Sequence, residues 1–171
     1  APDSLRVTPG IFAIVGTSEQ EAQDKFGLLQ SLIEPAAGLA LLGRMIGNFD
    51  LSGYPLDGPL PELPVTQDGQ RSRQQLLTAI AQGENLTIRQ LYQRIAGGRG
   101  HFTVIGTAEQ VADQMQAWFE GGAADGFNLM PPTLPGGLDD VLRLVVPELQ
   151  RRGLFRTRYE DTTLRSHLGL R

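Results

Sequence analysis

Ile14-Val15-Gly16-Thr17-Ser18-Glu19-Gln20 and Val104-Ile105-Gly106-Thr107-Ala108-Glu109-Gln110 follow one pattern. Each is an apolar strand end, then a glycine, a threonine able to cap a helix, and a helix start. The chain therefore repeats a strand–helix unit. Such alternation implies parallel strands covered by helices, because parallel strands need a crossover connection. Three units are expected, with strands at 5–15, 102–105 and 127–130, each followed by a helix. Three parallel strands leave raw sheet edges. Right-handed crossovers then allow a sector of a barrel or part of a doubly wound sheet.

The rest of the chain reads outward from these units. The strand Leu5 to Val15 is interrupted by Pro9-Gly10, where a bulge or kink is expected, since proline has no N–H to give. Thr17 should cap the next helix, with Gln20 at the capping-box position. That helix should run to about Ile33, with Ala22, Phe26, Leu29 and Ile33 as its apolar stripe. Helices are also expected over Ala36 to Ile46, over Ser72 to Ala81, and after Thr87, whose box partner is Gln90. The helix after Thr107 places Val111, Met115, Trp118 and Phe119 on one stripe, which reads as core. A last helix over Leu138 to Arg152 should kink at Pro147 and end at Gly153. The tail, 154–171, has no clear period. Residues 47–70 are full of turn formers and read as an ordered insertion loop. It is either a surface strap packed by Leu51, Tyr54 and Leu56 or a lid or pocket wall.

Composition narrows the function classes. The 171 residues suffice for one domain with a core, but a complete eight-stranded α/β barrel takes about 250. A hydrophobic share of 40% argues against disorder. No apolar run reaches the ~20 residues of a membrane span. The net charge of −4 argues against general nucleic-acid binding. There is no cysteine, which excludes disulfides, thiolate zinc sites and a cysteine nucleophile. The two histidines, His101 and His167, cannot build a histidine-rich metal site. Chemistry is thus expected from a cofactor. The opening Ala1-Pro2-Asp3-Ser4 lacks the marks of a signal peptide and has no initiator Met. A cytoplasmic, processed or excised piece is the expectation.

Four places could carry chemistry. Gly97-Gly98-Arg99-Gly100-His101 combines a free backbone with a cation and an imidazole. It follows a helix and opens a strand, so it is not a nucleotide fingerprint, and a helix-terminating turn explains the glycines equally. Gly16-Thr17 and Gly106-Thr107 lie at strand carboxyl ends and helix N-termini, where N–H groups suit phosphate or flavin oxygens; simple capping is the alternative. Asn128 and Met130 alternate on the last strand and share one face. Asp139-Asp140 opens a helix and suits its dipole. The arginines at 151, 152, 156, 158, 165 and 171 form a basic tail that can dock on an acidic neighbour or wrap the domain.

Two long strings point to a family. Val104 to Asp113 and Gly122 to Pro131 resemble the bacterial-luciferase-like flavin monooxygenases, in the branch of nitrilotriacetate and dibenzothiophene-sulfone monooxygenases. Asp50 to Pro61, Glu84 to Leu91 and Val146 to Leu154 extend the match over nearly the whole chain. The resemblance implies the carboxyl-terminal part of a TIM-like (β/α)8 barrel: about three βα units, the insertion 47–70 and the tail 154–171. It implies reduced FMN, supplied by a separate NAD(P)H-dependent flavin reductase, with O2 and a small organic substrate. It implies a homo-oligomer with no nucleic acid, membrane or metal. By this resemblance His101 contacts flavin or substrate, and Arg99, Gly106, Thr107 and Asn128 contact the cofactor. Tyr54 and Met130 line the substrate pocket, and the flavin-phosphate contacts lie before position 1. The portion alone is then expected to be inactive. The alternative from the residues is a non-catalytic α/β module that associates through its open sheet edges. A flavodoxin-like domain is weaker, because Pro9-Gly10 sits inside the first strand.

Overall fold

The computed structural model describes residues 5–65 and 71–169, so the last five positions of the expected insertion, 66–70, lie outside the described residues. The chain divides into two compact units. One joins Ala1–Gly27 to His101–Arg171, and the other is Leu28–Gly100.

The first unit is built on three parallel strands, β1 (Gly10–Val15), β2 (Phe102–Gly106) and β3 (Asn128–Leu129). Their order is β2-β1-β3. Ile11 to Val15 pair with Phe102 to Gly106, while β3 pairs only with Gly10 and Ile11. Consecutive strands of a βα barrel are neighbours, which would put β2 in the middle. Here the first strand is in the middle, the order that opens one kind of doubly wound sheet. Strand alternation sends Ile11, Ala13, Val15 and Val104 to one face. That face packs on Val111 and Ala112 of α5 (Ala108–Glu120) and on Val141, Val145 and Leu149. Trp118 of α5 stacks on Phe102 with ring centroids 4.3 Å apart, and Phe127 lies 6.4 Å away. Phe119 is 52% exposed, so it leaves the expected core stripe.

Several expectations shift locally. The first strand starts at Gly10, not Leu5. Residues 7–9 instead serve as acceptors, Val7 O for the Asp125 N–H and Pro9 O for the Asn128 N–H. Helix α1 (Glu19–Ser31) is capped by Ser18, not by Thr17 with Gln20. Ser18 Oγ accepts from the Glu21 N–H at 3.2 Å, and Thr17 turns both its N–H and its hydroxyl to Glu21 Oε2. The second copy has Ala108 where the first has Ser18, so there the cap falls on Thr107, boxed with Gln110. At Pro147, where a kink is expected, the helical run continues after a change of winding. The run passes from α6 (Gly136–Asp140) through a π-helical turn (Val141–Val145) into α7 (Val146–Arg151). The wider turn makes room for a residue that lacks an N–H and crowds the preceding carbonyl. Gly153, at φ +73°, ends α7 as expected. The Leu154 N–H reaches Leu149 O and the Gly153 N–H reaches Gln150 O, the paired bonds of a Schellman stop. The tail then forms one short helix, α8 (Leu164–His167), capped by Thr163.

The second unit packs α2 (Pro35–Met45), α3 (Arg71–Gly83) and α4 (Ile88–Ala96) around Leu42, Ile46, Leu77, Ile88, Leu91 and Tyr92. The Thr87–Gln90 capping box forms as expected. The described part of the proline-rich stretch, 47–65, is a packed strap. Leu51 is buried, and Leu56, Leu60 and Leu63 lie against the core. Its backbone holds the start of α4, with the Ile88 and Arg89 N–H groups donating to Gly58 O and Leu56 O. Arg89 also forks onto Asp57 at 2.7 and 3.2 Å. Buried Gln74 donates to Ile46 O and Pro64 O, tying the two ends of the strap together.

Candidate functional site

Parallel strands give the first unit two chemically different ends, and ligands of open α/β sheets gather at the carboxyl ends. The amino ends carry Gly10, His101 and Asn128. A Cβ built at Gly10 would stand 2.8 Å from His101 Nδ1 and 3.0 Å from Met130 Sδ. The missing side chain therefore lets both the imidazole and the thioether approach the start of β1. Asn128, on the same face, gives its amide to Thr8 O at 2.9 Å, with Thr8 Oγ1 3.4 Å away. The Asn128 amide N–H thus has acceptors within the chain.

The carboxyl ends carry Gly16 and Gly106. A Cβ at Gly16 would lie 2.6 Å from Ala22 N, and one at Gly106 would lie 2.3 Å from Gln110 Oε1. Both glycines let a strand turn tightly into its helix. The Thr107 N–H donates to Gln110 Oε1 at 2.9 Å, and its hydroxyl accepts from the Gln110 N–H. The Thr107 N–H and hydroxyl oxygen thus both take part in capping.

Lys25, the only lysine in the sequence, also sits at this end. Its Nζ donates to Val15 O and Asp140 Oδ2, each at 2.8 Å, and pairs with Glu21 at 2.9 Å. Burial opposes its charge, but the carboxylates of Asp140 and Glu21 outweigh that and raise its pKa. Asp140 is therefore an ion-pair partner, with Arg143 as its second cation at 3.2 Å.

The second unit holds the other expected residues. Arg99 follows the end of α4 at φ +49°, with its N–H on Ile95 O at 2.7 Å. The chain thus places Arg99 and His101 in different units. Tyr54 is 40% exposed and tilts against Phe49, with ring centroids 5.8 Å apart. Two open clefts of about 440 and 380 Å³ occur in this unit, the first lined by Asp57, Leu60 and Thr87 and the second by Leu39, Arg44 and Phe49; Tyr54 lines neither. Among the described residues no cluster of acidic or histidine side chains could hold a metal, and no single helix is long and apolar enough to cross a membrane.

Arg152 is the ionic centre that sequence reading missed, because Asp113 and Gln116 are distant in sequence and only Glu148 is near. Its side chain is 15% exposed and reaches Glu148 at 2.7 Å, Asp113 at 2.6 Å and Gln116 at 3.0 Å, joining α7 to α5. Hydrogen bonds from Arg151, then Arg152, pull the Glu148 carboxyl down to about 2. Glu21 falls to about 2 as well, held first by the Thr17 hydroxyl and then by Lys25. Both carboxyls are depressed on folding, so their stabilisation is full above pH ~4.5 and lost as pH falls toward ~2. Melting temperature is expected to drop through that window, and Glu148→Gln should flatten part of the slope. An unchanged slope in that variant would show the Arg152 network to be idle.

No protein-family model matches the chain. It is 49% identical over 170 residues to N-acetyl-S-(2-succino)cysteine monooxygenase of Bacillus subtilis (strain 168), covering 99% of this chain and 38% of that protein. It is 48% identical over 168 residues to nitrilotriacetate monooxygenase component A of Aminobacter aminovorans, covering 98% and 37%. The dibenzothiophene-sulfone monooxygenase of Rhodococcus erythropolis is 40% identical over 173 residues, covering 99% and 38%. Among solved structures, DmoA from Hyphomicrobium sulfonivorans matches with a TM-score of 0.72 at 28% identity, over 98% of this chain and 34% of that one. EDTA monooxygenase (EmoA) from Chelativorans sp. BNC1 matches with a TM-score of 0.65 at 30% identity, over 100% and 40%. The chain spans less than two fifths of the length of the curated relatives it matches.

These likenesses define a class, the monooxygenases. Within that class the homologues of this chain are the luciferase-like monooxygenases, in the branch of nitrilotriacetate and dibenzothiophene-sulfone monooxygenases.

Proposed function

We propose that the chain is the carboxyl-terminal portion of a two-component flavin monooxygenase with a TIM-like barrel, using reduced FMN and O2 to oxygenate a small organic substrate. The observation that carries this reading is identity of 40–49% running over 98–99% of the chain with several proteins named monooxygenases. The words "component A" in one relative's name support a separate partner, here an NAD(P)H-dependent flavin reductase. A solved neighbour that carries modified FMN supports the cofactor. A homo-oligomer working in the cytoplasm is part of the same proposal.

The Thr107 N–H is used in its capping box and the Asn128 amide donates to Thr8. The flavin site is proposed to include further polypeptide acting with this segment. Within it, His101, Met130, Gly106, Thr107 and Asn128 remain the proposed contributions of the first unit, with Arg99 and Tyr54 those of the second.

The test uses the complete polypeptide with a flavin reductase, FMN and NAD(P)H, and follows O2 uptake against oxygenated product. Coupled turnover is expected, and O2 uptake without product for any of a panel of small organic substrates would count against the reading. His101→Ala is expected to lower turnover or coupling; an unaltered variant removes His101 from the site. Among the described residues no strand pairs with the outer edge of β2, which favours the second reading, a module that associates by strand pairing. Size-exclusion chromatography of the 171 residues separates the two, since that reading requires self-association without flavin.

A further inference from the structure

We propose that the cleft between α2 and the start of the strap is a binding site for a small dipolar molecule, an α-amino acid with an apolar side chain. The site lies wholly within the second unit, and it does not rest on the flavin reading above.

The cleft holds about 380 Å³, enough for a molecule of that size. One wall is α2, where Ala40 and Gly43 keep the surface low and Leu39 stands beside them. The other wall is the strap from Asn48 to Ser52, and it is fastened in place. The Phe49 N–H donates to Gly43 O and the Tyr54 N–H to Leu51 O, each at 3.1 Å. Leu51 itself is 2% exposed. A Cβ at Gly43 would lie 2.6 Å from Phe49 O, so any larger residue there would push this wall away. The chain enters the wall through Gly47 at φ +96° and Asn48 at φ +59°, two left-handed residues in succession. The cleft is therefore formed before a ligand arrives, which spares the cost of ordering it.

Two opposite charges line this cleft, and each lacks an opposite partner. Among the described residues Arg44 makes no ion pair or hydrogen bond. The Asp50 carboxylate accepts the Ser52 N–H at 2.9 Å but pairs with no cation among the described residues. The Ser52 N–H, then the Ser52 hydroxyl, holds the Asp50 carboxyl below its ordinary range, so it is charged at neutral pH. An arginine alone would select an anion, and a carboxylate alone a cation. Together, beside the apolar Leu39 and Phe49, they select a molecule that carries both charges and an apolar group. The ligand's carboxylate goes to the planar fork of Arg44, which suits it. Its ammonium goes to Asp50. The carboxyl end of α2 also lies at the cleft, and its partial negative charge adds to the pull on the ammonium.

Free phenylalanine is the probe, with hydrocinnamate and phenethylamine as its anion-only and cation-only analogues. Saturation-transfer NMR on the complete polypeptide, without flavin or reductase, gives the three affinities. Phenylalanine is expected to bind about fivefold tighter than either analogue, the upper worth of one exposed ion pair. Arg44→Gln should remove its advantage over phenethylamine, which lacks the carboxylate. Asp50→Asn keeps an acceptor for the Ser52 N–H and should remove the advantage over hydrocinnamate, which lacks the ammonium. Both side chains are exposed, so neither change opens the core. Equal affinities for the three probes, no binding of phenylalanine, or a phenylalanine affinity indifferent to both substitutions overturns the proposal. The readout needs neither flavin nor O2, so its failure leaves the oxygenase reading untouched, and absence of oxygenation leaves this site untouched.

Discussion

Trp118→Ala is expected to lower the unfolding free energy of the first unit by about 3 kcal/mol, the lower end for removal of a large aromatic, since the indole is half-buried. The ring fills the space between α5 and the helix-facing side of the sheet. It stacks on Phe102 at 4.3 Å with an interplanar angle of 22°, an offset pairing that adds about 0.5–1.5 kcal/mol beyond area burial. Phe127 closes the cluster at 6.4 Å, so the cavity left by alanine would be lined by two rings fixed on separate strand segments. Such a site collapses poorly. Phe119→Ala is the control, because that side chain is 52% exposed and should cost less than about 1 kcal/mol. Urea unfolding followed by circular dichroism measures both, since Trp118 is the only tryptophan and its loss removes the fluorescence signal. Equal midpoints for the two variants would end the assignment of Trp118 as the anchor of α5.

The contrast between neighbouring residues 118 and 119 shows what periodicity can and cannot decide. A helical stripe about 100° wide admits either residue, and only the position of Phe102 selects Trp118. Capping was legible where its partner is three residues away, as at Thr87 and Thr107. It misled at Thr17, where Ser18 competes for the cap and Glu21 reaches back for both donors. Two of the parallel strands were legible from the repeated Gly-Thr turn and the third from its apolar run before Pro131, but their order was not. Alternation says which side chains share a face, while pairing is decided between residues more than a hundred positions apart, as for Ile11 and Leu129. The candidate site was legible to the same degree. His101, Met130 and Asn128 could be named singly, yet the bare Gly10 that the first two approach emerges only from the fold. The Asn128 contact to Thr8 is long-range in the same sense. Lys25 and Arg152 each have one local partner four residues earlier, Glu21 and Glu148, but Asp140 and Asp113 lie on other helices and carried no sequence signal.

The second unit yields the other large effect, through a pair read as a cycle. A Cβ at Gly38 would fall 2.5 Å from Tyr92 Cδ2 and 2.8 Å from Cε2 and Cγ, inside any real carbon contact. The Tyr92 ring is 1% exposed and lies between α2 and α4, so it has nowhere to retreat. Gly38→Ala should therefore cost about 1–3 kcal/mol by overpacking, even though alanine favours an exposed helix by about 1 kcal/mol over glycine. Tyr92→Ala should cost about 3–5 kcal/mol, the range for removing a buried aromatic side chain. The two changes should then fail to add. With the ring gone, the Cβ meets no obstacle and the helix preference shows through. Gly38→Ala in the Tyr92→Ala background should stabilise by roughly 0.5–1 kcal/mol, and it also refills a little of the cavity. The sign of the Gly38 effect thus reverses with its partner, which no additive account of helix propensity and burial produces. A penalty of the same size in both backgrounds would mean that α2 meets α4 by some contact other than the glycine–tyrosine face.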